Sequence, residues 1–152
     1  MDKTKIKKNN PITHPDQRVG VFIDVQNLYY SAKNLYRQKV NFGNILKAVV
    51  ADRRLIRAIA YVVRTESGEE TPFFEALINL GIETREKDLQ IFYSGMKKAD
   101  WDVGLTVDAI RLSPSLDVIV IISGDGDYVP LIEYLQKSSG KRVEVAAFGE
   151  TV

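Results

Sequence analysis

Apolar positions follow two rhythms that alternate along the chain. Apolar and β-branched runs occur at 19–23, 55–63, 117–122 and 142–148. Short runs of this kind, bounded by polar residues, read as strands, and the run at 117–122 is apolar on both faces. Elsewhere apolar residues recur every three to four positions, the helical spacing, at 27–38, 42–52, 69–80, 100–112 and 127–137. In the first of these segments Leu28, Ala32 and Leu35 fall near one face. Asn41 stands where the second helix needs an N-cap, and Gly81 and Gly140 stand where the third and the last must stop. The stretch 82–92 mixes strand-like and polar pieces, with Glu83, Arg85 and Lys87 in alternation. Five strands alternating with helices predict βαβ crossovers. The expected class is α/β, with a mostly parallel five-stranded sheet covered on both faces.

Residues 1–18 fit neither rhythm. Lys3, Lys5, Lys7 and Lys8 lie among Asn, Thr and Pro, which predicts a flexible basic N-terminal arm ahead of a single domain over 19–152. A chain of 152 residues suits one domain with a real core. Lys and Arg number 21 against 20 acids, so affinity for a polyanion must come from a local patch rather than from bulk charge. Cysteine is absent, which excludes disulfides, thiol nucleophiles and Cys-ligated zinc, and is compatible with the expected cytoplasmic location. No apolar run approaches the ~18 residues of a membrane helix, and no signal-peptide stretch opens the sequence, so no membrane partner is expected.

Two of the predicted strands run straight into acid. The first ends Phe22-Ile23-Asp24, the fourth Ile122-Ser123-Gly124-Asp125-Gly126-Asp127. Ligands of open parallel sheets gather beyond the carboxyl ends of the strands. If these two strands are neighbours, Asp24 and Asp125 approach each other there, and crowded carboxylates repel unless protonated or bridged by a cation. Mg²⁺ or Mn²⁺ suits such oxygens and keeps waters for a phosphate substrate. A third acid, Asp100 or Asp102, opens the helix at 100–112 and could face the same cleft. Asp108 lies six residues after Asp102, about 240° around an ideal helix, so the two do not share a narrow face. Each acid also has a structural reading: Asp127 and Asp100 as helix caps, Asp125 as a turn residue.

Other motifs fail on inspection. An EF-hand starting at Asp125 would need an oxygen ligand at Val129 and glycine at Pro130. Gly140-Lys141-Arg142 lacks the rest of a P-loop, and no G-x-S-x-G or H-E-x-x-H occurs. The single histidine, His14, sits in the arm and is read as an exposed bystander, which excludes a His-based triad. A haloacid-dehalogenase-like phosphatase needs a second Asp two residues after Asp24, where this chain has Gln26.

Three pieces together resemble the NYN domain family, a branch of the PIN-like nucleases, and most closely its bacterial LabA-like subgroup. They are Phe22-Ile23-Asp24-Val25-Gln26-Asn27, Asp102-Val103-Gly104-Leu105-Thr106-Val107-Asp108-Ala109 and Ser123-Gly124-Asp125-Gly126-Asp127-Tyr128-Val129-Pro130-Leu131. The resemblance implies a three-layer PIN-like, Rossmann-like fold with sheet order 3-2-1-4-5. It implies a metal-dependent ribonuclease site in which Asp24, Asp102, Asp125 and Asp127 hold the ion and Asn27 is the polar residue after the first acid. Asp108 matches a recurrent subgroup acid without an assigned role. Members of the subgroup are also linked to regulation, which keeps open a non-catalytic RNA-binding module with the same acidic pocket.

The expected activity is therefore hydrolysis of RNA phosphodiesters, with single-stranded RNA the expected substrate because aromatic residues such as Tyr29, Tyr30, Tyr93 and Trp101 can stack on unpaired bases. Asn27 and Ser123 are candidates for orienting water or substrate. Arg85, Lys87, Lys97 and Lys98 are candidates for guiding the phosphate backbone.

Overall fold

A computed structural model describes residues 6–7, 14–25, 41–68, 70–88, 90–91, 97–98, 101–123 and 128–148, with backbone alone at 6–7, 90–91, 97–98 and 148. In chain order its strands are β1 (Ile6–Lys7), β2 (Arg18–Asp24), β3 (Arg54–Arg64), β4 (Glu83–Asp88), β5 (Gln90–Ile91), β6 (Lys97–Lys98), β7 (Val118–Ile122) and β8 (Arg142–Phe148). Its helices are α1 (Phe42–Val50), α2 (Thr71–Asn79), α3 (Asp102–Leu112) and α4 (Val129–Lys137). The helix expected at 27–38 lies outside the described residues.

The sheet runs β4-β3-β2-β7-β8, all parallel, which is 3-2-1-4-5 when the parallel strands are counted along the chain. β1 adds an antiparallel pair outside β8, with Ile6 opposite Phe148. Part of the stretch expected as an arm thus lies along the sheet edge. β5 and β6 form a separate antiparallel pair.

Strand composition explains strand position. β2 and β7 are apolar on both faces and occupy the middle, where both faces are covered. β4 reads Glu-Thr-Arg-Glu-Lys-Asp and forms the opposite edge of the sheet from β1. Its alternating charges pair with β3, Glu83 with Arg57 and Glu86 with Arg64. Such exposed pairs stabilise little, but polar residues keep an edge from recruiting further strands.

Two apolar layers flank the sheet. Val19, Val21 and Ile23 of β2 pack with Phe42, Ile45 and Val49 of α1 and Phe74 and Leu77 of α2. Phe22 of β2 packs with Ile59, Ile119 and Ile121, under Leu105 and Ala109 of α3 and Leu131 and Leu135 of α4. Each large side chain buried in this way contributes about 1.5–3 kcal/mol. Among the described residues no helix is long and apolar enough to cross a membrane.

The cap of α1 and the glycines after α2 and α4 follow the sequence, whereas Trp101 and Tyr128, rather than Asp100 and Asp127, stand at the N-caps of α3 and α4. The Asn41 side chain accepts from the Asn44 N–H at 3.0 Å. Gly81, with φ of 83°, follows α2, and Gly140, with φ of 62°, follows α4. Helix α1 stops at Val50, short of the expected 52, because Ala51 turns to a φ of 55° and the Arg53 guanidinium takes the carbonyls of Val49 and Val50. Helices α3 and α4 start at Asp102 and Val129, two residues later than expected, with Pro130 in the first turn of α4. His14 is exposed, as expected.

Candidate functional site

β2 delivers Asp24 to the carboxyl edge of the sheet. Strand alternation turns it to the same face as Phe22, the face covered by α3 and α4. Its neighbour across β3 is Tyr61. Asp24 is buried and accepts from two hydroxyls, Tyr128 at 3.2 Å and Ser123 at 3.4 Å. Ser123 directly follows β7, and its N–H donates to the carbonyl of Ala146 in β8 at 3.0 Å, which holds the strand end in place. Tyr128 directly precedes α4.

The Tyr128 hydroxyl is also 3.2 Å from Oδ1 of Asp102, the first residue of α3. Asp24 and Asp102 therefore present carboxylate oxygens no more than twice 3.2 Å apart. A phenol has one proton, so it donates to one of them at a time. Burial, then the negative field of Asp24 and Asp102, push the Tyr128 phenol far above its usual range. It is a neutral donor between two carboxylates.

This donor set fits a hard divalent ion. Two carboxylates converge at a strand end and a helix start, beside the hydroxyls of Ser123 and Tyr128. Among the described residues no group of three or more acids is assembled. Asn27, Asp100, Asp125 and Asp127 lie outside the described residues, as do Tyr29, Tyr30 and Tyr93 and the side chains of Lys97 and Lys98. Ser123 and Tyr128 flank residues 124–127 in sequence, and both reach Asp24.

Asp108 is elsewhere, as the 240° offset requires. It is buried and accepts from Tyr61 at 2.8 Å, from Arg85 and from Arg111 at 3.3 Å. Burial opposes its charge, but these three donors outweigh burial and hold the carboxyl below its usual range. Arg85 is thus anchored rather than loose. Lys87 stands with its ammonium 4.5 Å from the centre of the Trp101 ring.

Trp101 is a packing anchor. Its indole N–H donates to the Val62 carbonyl at 2.8 Å, and its ring centre is 5.4 Å from that of Tyr61. Lys87 lies over the same ring, and Asp102 is the next residue. Gly104 allows this packing: a Cβ there would stand 2.5 Å from Cε3 of Trp101. Helix propensity alone makes Gly→Ala stabilising by about 1 kcal/mol inside a helix. At Gly104 the sign reverses, and Gly104→Ala is expected to cost about 1–3 kcal/mol by overpacking. A lower thermal midpoint, with reduced near-ultraviolet signal from the tryptophan, is the expected reading; a higher midpoint would show that the ring moves aside freely.

Sequence reasoning did not single out Tyr61, Tyr128 or Arg111 for these contacts. A tyrosine in the otherwise aliphatic half of β3 and an arginine three residues after Asp108 were the available signals.

The NYN domain family model matches residues 18–152. The chain belongs to the NYN domain family. It is 28% identical over 130 residues to "Low amplitude and bright protein LabA" of Synechococcus elongatus, covering 78% of this chain and 68% of that protein. A crystal structure of a protein of unknown function from Vibrio parahaemolyticus superposes with a TM-score of 0.77 at 29% identity, covering 88% of this chain and 82% of the other. The NYN match begins at Arg18, the first residue of β2, so the five parallel strands and the Asp24–Asp102 pair lie within the family's domain, and β1 precedes it.

Proposed function

We propose that this NYN domain is a Mg²⁺- or Mn²⁺-dependent ribonuclease that hydrolyses phosphodiester bonds of single-stranded RNA. The observation that carries the reading is the convergence of Asp24 and Asp102 on one hydroxyl at the carboxyl edge of the sheet, in a chain of a PIN-like nuclease family. Asp24 and Asp102, with Asp125 and Asp127 by motif position, would hold the ion. When bound, the ion supplies Lewis acidity toward a phosphate oxygen and a more acidic water. Ser123 and Asn27 orient water or substrate, and Ser123 is already fixed by its bond to β8. Tyr128 keeps Asp24 and Asp102 facing one another through its neutral hydroxyl. Arg85, Lys87, Lys97 and Lys98 guide the backbone.

Two measurements test this reading on the full chain. Mn²⁺ at about 100 times its Kd should stabilise the native state by about 2.7 kcal/mol, a rise of several degrees in the thermal midpoint. A labelled single-stranded RNA should be cut with Mn²⁺ and remain intact in EDTA. A midpoint that rises while RNA stays intact would make the domain a binding module that retains the pocket. No rise and no cleavage would remove the metal site altogether.

A further inference from the structure

We propose that Arg85 and Arg111, held by Asp108, form a phosphate-binding site for the RNA backbone, with Asp108 as its positioning residue. The identity of the ligand rests on the ribonuclease reading; the site is separate from the acidic one. It gives a role to Asp108, which the acidic cluster does not use.

The arrangement hides a negative charge and displays two positive ones. The Asp108 side chain is 4% exposed, whereas Arg85 is 47% and Arg111 58% exposed. A second buried carboxylate, Glu144, also holds two arginines, but Arg53 there is buried and only Arg142 reaches the surface. Three surface pairs differ. Arg57 with Glu83, Arg64 with Glu86 and Arg18 with Asp117 each match one cation to one acid of similar exposure. Those pairs neutralise themselves at the surface. At Asp108, among the described residues, one buried carboxylate serves two guanidinium groups, which leaves a positive charge facing solvent.

Geometry suits an anion as well. Asp108 engages Nη1 of Arg85 and Nη2 of Arg111. A guanidinium carries five N–H donors in a planar fork, so most donors of each arginine stay off Asp108. Tyr61 completes the anchor by donating to the same Asp108 oxygen as Arg85. Side chains fixed in advance lose less freedom when a phosphate arrives.

The site also lies in line with the acids. Tyr61 is the register partner of Arg85 in β4 and of Asp24 in β2. Arg85, Tyr61 and Asp24 therefore form one row across the sheet, with the outer two about 10 Å apart at two strand spacings. Lys87, two residues beyond Arg85, shares its face. A polynucleotide backbone lying along this row is gripped beside the carboxylates.

The test is binding of a short fluorescent single-stranded RNA to the full chain in EDTA, read by anisotropy across a range of salt. Arg85→Gln and Arg111→Gln should each weaken binding and each lower the slope of log K against log salt by about 0.7. Asp108→Asn discriminates most sharply. Removal of an acid should tighten a polyanion if only overall charge matters; if Asp108 positions the arginines, binding weakens instead. A thermal melt checks that each variant folds, and the two arginine variants, altered at exposed side chains, decide the matter if Asp108→Asn does not. Tighter binding by folded Asp108→Asn, an unchanged slope in both arginine variants, or no binding by the unaltered chain would overturn the site. Cleavage with an unchanged slope would remove the site and leave the ribonuclease. Arginine-dependent binding without Mn²⁺-dependent cleavage would do the reverse.

Discussion

Asp24→Asn is expected to leave the fold as stable as before, or slightly more so, while lowering RNA hydrolysis by about a hundredfold or more. Asparagine keeps the volume, and its amide oxygen still accepts from Tyr128 and Ser123. What disappears is one of two negative charges gathered around a single hydroxyl. In the metal-free protein that removal relieves repulsion. For a hard cation the same removal deletes a charged donor, and altering even the residues behind a ligand commonly costs 10–100-fold. The check is a melt in EDTA, a melt in Mn²⁺ and an initial cleavage rate, each beside the unaltered chain. The variant should lose most of the rise that Mn²⁺ produces. A melt several degrees lower in EDTA, with cleavage at the normal rate, would make Asp24 a structural acid and end the ribonuclease reading.

The largest loss of stability is expected far from the acids, from Arg53→Met. Arg53 and Glu144 are both fully buried, joined by bonds of 2.7 and 2.9 Å, and Arg142 adds a third contact to Glu144 at 3.2 Å. Arg53 also donates to the carbonyls of Val49 and Val50, which tie the end of α1. Breaking a buried pair from one side costs about 3–5 kcal/mol; with Glu144 left to Arg142 alone, the lower end, about 3 kcal/mol or roughly 10 °C in a chain of this size, is expected. Acid should shrink that deficit. Burial opposes the charge of Glu144, but Arg53 and Arg142 outweigh burial and hold its folded pKa below the ordinary 4.5. The pair's stabilisation is therefore present above pH 4.5 and fades as pH falls through the lower folded value. In Arg53→Met, burial dominates and Glu144 takes up a proton more readily when folded. Denaturant unfolding at pH 7 and pH 4 should thus show a larger difference between the two proteins at pH 7. A difference under about 1 kcal/mol at both pH values would show that water or a shift of the backbone reaches Glu144.

Much of the architecture was written locally. Buried strands and amphipathic helices announce themselves by period, because a side chain's neighbours within one element depend only on spacing. Hence β2, β3, β7 and β8 fall where the apolar runs predict, and Asn41, Gly81 and Gly140 bound their helices. β4 was harder to read, since an edge strand balances charges against its neighbour and shows no apolar rhythm. Sheet order came through the three motifs rather than through period, because nothing in one strand's pattern names its neighbours.

Partnership between distant side chains was settled only in three dimensions. The sequence placed Asp24 at a strand end and put Asp102 and Asp108 on different faces of α3. Rotation of α3 on the sheet then brought Asp102 to Tyr128 and turned Asp108 toward Tyr61 and Arg85. Arg53 meets Glu144 from 91 residues away, inside a run whose period signals only a strand. Such contacts depend on strand register and on the angle at which a helix lies, and both are fixed by packing of the whole core rather than by any local spacing.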